Sequence, residues 1–226
     1  MNISETCRDG KVIRVYDCGH TAPVVYDNEY MENGQAILEK CAQIGCPEFH
    51  LVTVSGINWD SDLSPWPSEP VVSAQDHFTG EADGYLKWLQ AEVIAPAEKS
   101  LAGRCTERVL AGYSMAGMFA LYAACQTDLF DCIVSASGSV WYPGFEAYCR
   151  THDFVKKPSA IYLSLGNRET RTRNRYMKTT ETVCRNLQEL YLQQGIRTTF
   201  ELNEGNHFRE PDLRLARGIS FVLHEE

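Results

Sequence analysis

The sequence predicts an α/β fold, a mainly parallel central sheet with helices on both faces. Three observations carry this. Short apolar runs rich in Val, Ile, Leu and Tyr alternate along the chain with longer segments whose apolar residues recur at a helical period, as in strands joined by crossover helices. The stretch Val109-Leu110-Ala111-Gly112-Tyr113-Ser114-Met115-Ala116-Gly117 ends an apolar run on a glycine, presents one hydroxyl, and passes through small residues into an apolar segment at 118–124. That pattern reads as strand, sharp turn, helix. Finally, 226 residues with 44% hydrophobic and 23% charged content suffice for one sizeable core. Residues 1–226 are therefore expected to form a single domain.

The elements follow in order. Residues 11–16 alternate and predict a half-exposed strand. Residues 22–26 predict a short buried strand, with Pro23 at its start, where a lost N–H is tolerated. A loop over 27–30 follows, in which Asn28 is suited to positive φ. Ile37, Leu38, Cys41 and Ile44 recur at helical spacing over 34–44, and Gly45 and Pro47 close that helix. Residues 49–54 predict the next strand, and 55–78 a long loop rich in Ser, Pro, Asp and Trp. A helix over 83–94 puts Leu86, Leu89 and Val93 on one face, with Pro96 expected to kink or end it. Residues 107–111 form the strand feeding Ser114, 131–136 another, and 138–157 an irregular connection. Residues 160–165 predict a strand ended by Gly166, 176–194 a long helix, 198–202 the last strand, and 213–223 a terminal helix.

Composition excludes several functions. A net charge of −9 argues against a nucleic-acid or anionic-membrane partner. Every apolar run is too short to span a bilayer. Residues 1–15 carry charges and no apolar core of a signal peptide, so a cytoplasmic location is expected. The nine cysteines include no C-x-x-C pair, and Cys125, Cys132 and Cys184 fall in apolar segments, which predicts buried reduced thiols. Cys41 and Cys46 are the near neighbours at which a disulfide is conceivable. The six histidines are scattered without H-x-x-x-H spacing, so neither a metal nor another cofactor is expected.

In a parallel sheet, functional side chains gather just past the C-terminal ends of the strands. Three candidates stand there, Ser114, Glu169 and His207. A serine hydroxyl needs a base to take its proton as it attacks. Histidine can take and return that proton, and a carboxylate can fix the imidazole tautomer. Each also has a plainer reading. Ser114 could cap an ordinary strand–helix turn, His207 could be a loop residue, and Glu169 could pair with Arg168, Arg171, Arg173 or Arg175 on a solvated face. Placement selects Glu169 over Asp153, Glu201 and Glu204 as the acid. It lies just past the penultimate strand, while Glu201 is inside the last strand and Glu204 only three residues before His207. The tryptophans of the long loop, Trp59 and Trp66, wall a pocket or staple the loop to the core.

The order serine, acid, histidine is that of α/β-hydrolases. Gly112-Tyr113-Ser114-Met115-Ala116-Gly117, Gly166-Asn167-Arg168-Glu169 and Gly205-Asn206-His207-Phe208 together resemble the nucleophile, acid and histidine loops of the esterase family that includes enterochelin (siderophore) esterases, S-formylglutathione hydrolases and mycolyltransferases. The segment 58–67 is similar to a loop of the siderophore-esterase branch, and the resemblance runs from about Val12 to the C-terminus. It implies an α/β-hydrolase fold and a serine esterase acting on a small-molecule ester, and the connection of only about twenty residues after Ala136 predicts no large cap domain. Acyl transfer by the same residues, or a hydrolase-fold binding protein without turnover, are the alternatives. It further implies two oxyanion donors, the backbone N–H of Met115 and one near Glu29. Asn58, Trp59, Trp66 and Trp141 are expected to border the substrate.

Overall fold

Alternation along each strand sorts the chain into two faces. In the computed structural model, which describes residues 1–224, eight strands form one sheet: β1 (Asn2–Arg8), β2 (Lys11–Asp17), β3 (Ala22–Asn28), β4 (His50–Ser55), β5 (Cys105–Tyr113), β6 (Cys132–Ala136), β7 (Ala160–Gly166) and β8 (Arg197–Asn203). Their order is β1-β2-β4-β3-β5-β6-β7-β8. β2 runs antiparallel to β1 and β4, and the strands from β4 to β8 are mutually parallel. Val24, Tyr26, Leu110, Ile133, Ile161 and Leu163 face one side of the sheet, and Val25, Val109, Ala111, Val134 and Tyr162 the other.

The first face is covered by α3 (Ala82–Trp88), α4 (Ala95–Ser100), α5 (Met115–Ala124) and α7 (Thr180–Gln193). The second is covered by α1 (Gly34–Gln43) and α8 (Pro211–Leu223). Ten consecutive buried residues make α5 apolar all round, as a helix wedged between the sheet and its neighbours must be. The predicted parallel sheet with helices on both faces is thus the observed one.

Four local readings change. β1 carries no apolar alternation and is exposed along its whole length, so only its ladder to β2 defines it. Asn28 ends β3 and is absent from the residues with positive φ, because its Oδ1 accepts the buried Tyr85 hydroxyl and holds it in strand geometry. Pro96 does not stop its helix. Residues Leu89–Ile94 widen into a π-turn, and Pro96 falls in the first turn of α4, where its missing N–H costs nothing. The loop 55–78 holds a one-turn helix, α2 (Trp59–Asp62), and a two-residue pair, Pro67–Ser68 with Phe78–Thr79. The connection after β6 holds only the short α6 (Phe145–Thr151), so no cap domain stands there. All nine cysteines are free thiols. Among the described residues no helix is long and apolar enough to cross a membrane.

Candidate active site

Strand register levels the site. Asn28 pairs with Gly112, Gly112 with Ser135, Ala136 with Ser164, and Gly166 with Asn203. The loops after β3, β5, β6, β7 and β8 therefore open on the same edge. Ser114 sits between β5 and α5 with φ 59 and ψ −123, a conformation costly for any residue with a Cβ. Surrounding bonds enforce it: Ser114 N–H donates to the Ala136 carbonyl at 3.1 Å, and its own carbonyl accepts from Ser139 N–H at 2.9 Å. The turn leaves no room beside it. A Cβ on Gly112 would run into the backbone of Ala116.

Glu169 and His207 meet as the chain order suggests. Nδ1 of His207 lies 2.7 Å from Oε2 of Glu169. The other carboxylate oxygen, Oε1, accepts the Gly166 N–H at 2.6 Å, the Ser137 hydroxyl at 3.0 Å and the Arg214 guanidinium at 2.8 Å. Burial pushes this carboxyl up. The bond and charge of His207, the Gly166 N–H and the Ser137 hydroxyl outweigh that, and its pKa ends below the usual carboxylate value. Gly166 carries this packing, since a Cβ there would stand 2.9 Å from Oε1 and 2.8 Å from the guanidinium.

Arg168, Arg171, Arg173 and Arg175 are exposed, and the arginine that holds Glu169 is Arg214 of α8, 1% exposed. Its Nη1 also reaches the Tyr113 and Ser137 hydroxyls at 3.1 and 2.8 Å, and its Nη2 the Asn206 carbonyl at 2.9 Å. Tyr113 in turn donates to the His207 carbonyl at 2.7 Å. One buried guanidinium thus joins the nucleophile strand, the acid loop and the histidine loop. Sequence reasoning missed it. The available signal was an arginine on the same helical face as Gly218 and Val222, both buried. Arg214→Met is expected to cost about 3–5 kcal/mol by removing the buried Glu169 carboxylate's fixed cation and the guanidinium donor of the Asn206 carbonyl, measured by urea denaturation. Unchanged stability would mean that the cluster rearranges freely.

Ser114 Oγ lies 3.4 Å from the Ser139 hydroxyl. The His207 side chain is 29% exposed. Rings of Tyr113 and His207 stand 5.2 Å apart.

The donor placed near Glu29 requires correction. Glu29 N–H is spent on the Val54 carbonyl at 2.8 Å, continuing the β3–β4 ladder. The next N–H, that of Tyr30, finds no acceptor among the described residues, and neither does that of Met115 at the start of α5. The last pair of the β3–β5 register is Asn28 with Gly112, so Tyr30 and Ser114 each lie two residues past it on the same edge of the sheet.

The Glu29 side chain has its own consequence. It is 3% exposed, neither oxygen makes a well-formed hydrogen bond, and burial pushes its pKa up to about 7 against the lowering pull of Thr53, Asn33, Arg14 and Gly34. A carboxyl whose folded value exceeds its unfolded one stabilises the fold when protonated and loses that contribution as pH rises through the folded value. Stability should fall between about pH 4.5 and about pH 7. Glu29→Gln should flatten this decline and gain up to roughly 3 kcal/mol at pH 8, read from melting temperature against pH. An unchanged profile would assign the decline to other groups.

The expected substrate residues divide. Trp59 packs against the exposed Tyr30, ring centroids 5.3 Å apart, at the loop after β3. Trp141 lies two residues past Ser139 and is half-buried against Tyr142. Trp66 instead staples its loop to α6. Its indole N–H donates to the Pro143 carbonyl at 3.0 Å, and its ring packs on Tyr142, Phe145 and Tyr148. Asn58 caps α2, its Oδ1 accepting from Ser61 N–H at 3.4 Å. A separate cleft of about 450 Å3, lined by Ile44, Tyr162, Phe200, Glu201, Arg217 and Phe221 among others, includes none of the expected site residues.

A sheet in this order, with a serine on a strained strand-to-helix turn, defines an α/β-hydrolase. Residues 22–211 match the family described as "Putative esterase", and the chain belongs to that family, a family of carboxylic-ester hydrolases. YbbA of Bacillus subtilis is 25% identical over 180 residues, 76% of this chain and 72% of its own. An IroE-like serine hydrolase from Shewanella oneidensis superposes with TM-score 0.78 at 17% identity, covering 98% of this chain and 79% of that one. The siderophore hydrolase EstA from Aspergillus nidulans superposes with TM-score 0.71 at 19% identity, covering 98% and 93%. At such identities these two structures speak to fold.

Proposed function

We propose that this protein is a serine esterase of small, soluble esters, working through an acyl-enzyme on Ser114. The observation that carries the reading is the 2.7 Å Glu169–His207 contact beside a serine held at φ 59. His207 Nε2 takes the hydroxyl proton as Ser114 Oγ attacks the ester carbonyl. The oxyanion is received by the N–H of Met115, helped by the N-terminal dipole of α5, and by the N–H of Tyr30. His207 then protonates the leaving alcohol, and water enters by the same route to release the acid. Glu169 keeps the Nδ1 proton facing itself, so that Nε2 stays a base.

Tyr30, just past β3, and Phe208, next to His207, are exposed, and the acid loop presents Arg168, Arg171, Arg173 and Arg175 to solvent. Aromatic faces and cationic side chains suit an ester bearing aromatic or anionic groups. The siderophore chemistry named for EstA is therefore the first substrate class to try, ahead of glutathione thioesters and acetylated sugars. Nine free thiols favour action in a reducing cytoplasm.

The test is labelling by a fluorophosphonate followed by peptide mapping, with hydrolysis rates of p-nitrophenyl esters of increasing acyl length. The adduct is expected on Ser114, and rates should fall beyond a few carbons, because the connection after β6 carries only the short α6 and no cap. An adduct elsewhere would overturn the mechanism. A preference for long chains with activation at an oil–water interface would overturn the open site.

A further inference from the structure

At the edge where Ser114 stands, the loop after β4 does not stay beside its own strand. In the sheet β3, β5 and β6 separate β4 from β7. Yet the side-chain amide of Asn174, in the loop after β7, donates to the carbonyl of Val71, in the loop after β4. To meet Asn174, residues 55–78 run past the ends of the three intervening strands, and β5 among them leads into Ser114. Their path follows the first face of the sheet, where Trp66 and Phe78 pack on Tyr142 with ring centroids 5.9 and 5.2 Å apart. The Tyr142 hydroxyl donates to the Trp66 carbonyl at 2.6 Å, and its N–H donates to the Ser139 carbonyl at 2.9 Å. Ser139 N–H is the donor to the Ser114 carbonyl. The long loop is thus bonded, through one short turn, to the backbone of Ser114.

Residues 69–77 are the tip of this loop, a hairpin whose base is the pair Pro67–Ser68 with Phe78–Thr79. The tip is braced from inside. One carboxylate oxygen of Asp76 accepts the N–H groups of Val71, Val72 and Ser73 at 3.0, 2.6 and 3.1 Å. Next to the base, His77 N–H donates to the Asp60 carboxylate of α2 at 3.0 Å. Among the described residues, the Asn174 amide makes the one hydrogen bond from this tip to a segment outside the long loop. Asn174, half-buried, does two separable things. Its Oδ1 accepts the N–H groups of Tyr176 and Met177 at 2.9 and 3.2 Å, which orders the turn leading into α7. With the oxygen end fixed by two donors, the Nδ2 end is the one that faces the Val71 carbonyl.

We propose that the tip 69–77 is one wall of the ester-binding site and that Asn174 is the positioning residue that latches it. The proposal rests on the reading of Ser114 as the nucleophile. Asn174 touches no reacting atom. It holds Val71 from across three strands, so the wall is already ordered when an ester arrives. Unlatched, the hairpin is fixed only at its base, and each binding event must first order the tip. That cost falls on binding and not on the proton transfers among Ser114, His207 and Glu169. KM therefore carries the effect and kcat does not. Asn174→Asp separates the two things Asn174 does. One carboxylate oxygen still accepts the Tyr176 and Met177 N–H groups, while the other faces the Val71 carbonyl with no proton to offer.

The test uses the full chain, with p-nitrophenyl butyrate as the ester, and compares Asn174→Asp, Asp76→Ala and the double substitution with the wild type. In Asn174→Asp, amide hydrogen exchange over 69–77 should quicken by about tenfold, the worth of one hydrogen bond, while exchange over α7 keeps the wild-type rate. KM should rise by about tenfold with kcat within about twofold. Asp76→Ala loosens the same tip from a different part of the chain and should give the same KM-only change. The double substitution should add little to the larger single effect, since both act on one element. Melting temperatures check that the variants fold. A fall in kcat at unchanged KM in Asn174→Asp would mean that the residue acts through Glu169 in its own loop, and overturns the proposal. Faster exchange with unchanged KM, in either variant, shows a latched loop that is no wall, and overturns it as well. Unchanged exchange in Asn174→Asp removes the latch. Failure of the Ser114 reading is seen separately, as a wild-type protein with no fluorophosphonate adduct on Ser114, because the exchange rates need no catalysis.

Discussion

Ser114→Ala and His207→Ala are each expected to lower kcat for a short-chain ester by about 10^6-fold, and the double substitution by little more. Nucleophile and base act in one step. Without His207 the hydroxyl keeps its proton as it attacks, and without Ser114 the base has nothing to activate. A residual rate should persist if the Met115 and Tyr30 N–H groups receive the oxyanion as proposed, since they still polarise a bound carbonyl. KM should change little, since neither side chain supplies much of the ground-state contact. Alanine at position 114 retains the positive φ, so the melting temperature should stay near that of the wild type. Fluorophosphonate labelling should vanish in Ser114→Ala and slow sharply in His207→Ala. The neighbouring Ser139, whose hydroxyl lies 3.4 Å from that of Ser114, is the internal control. Labelling that persists in Ser114→Ala and disappears in Ser139→Ala would move the nucleophile.

What the chain discloses before folding depends on how far each signal reaches. β5, the turn and α5 are legible because glycine, serine and small residues sit within nine positions. Glu169 and His207 are legible as loop residues after strands, because strand order fixes which end of the sheet they reach. Arg214 is not. Its role needs four loops brought to one guanidinium from 101 residues apart in sequence, and along α8 it looks like one more charge. The Glu29 N–H, expected as an oxyanion donor, is already engaged for a related reason. The β3–β4 ladder runs one bond further than hydrophobicity alone suggests, consuming the N–H of Glu29 and leaving that of Tyr30. For Trp66 the sequence leaves a pocket wall and a loop staple both open, and Asn58 enters only through the resemblance; their partners, Pro143 and Ser61, show Trp66 tying its loop to the segment before α6 and Asn58 capping α2.

Glu169→Gln should lower kcat by about 10^4-fold with the fold retained, while Glu204→Gln should stay near wild type. The geometry makes the glutamine informative. Oε1 of Glu169 is surrounded by three donors, Gly166 N–H, the Ser137 hydroxyl and Arg214. A glutamine must place its carbonyl oxygen there, which turns its NH2 group toward His207 Nδ1. An NH2 group donates and cannot accept, so Nδ1 must become the acceptor and the imidazole proton moves to Nε2. That is the wrong tautomer for taking a proton from Ser114, although no atom has moved far. Glu204 is 65% exposed at its side chain, which among the described residues reaches only Arg209, at 3.5 Å, so its loss changes no ring nitrogen. Glu201 is likewise occupied, by the Tyr162 hydroxyl and Arg217 on the face of the sheet. The measurement is kcat of the two variants side by side, with melting temperatures and fluorophosphonate labelling rates. Glu169→Gln should label slowly in the same proportion as it turns over, since both reactions need the same proton transfer. Near-full activity in Glu169→Gln with collapse in Glu204→Gln would reassign the acid. Full activity in both would leave Ser114 and His207 working as a pair, with Glu169 reduced to holding the buried Arg214.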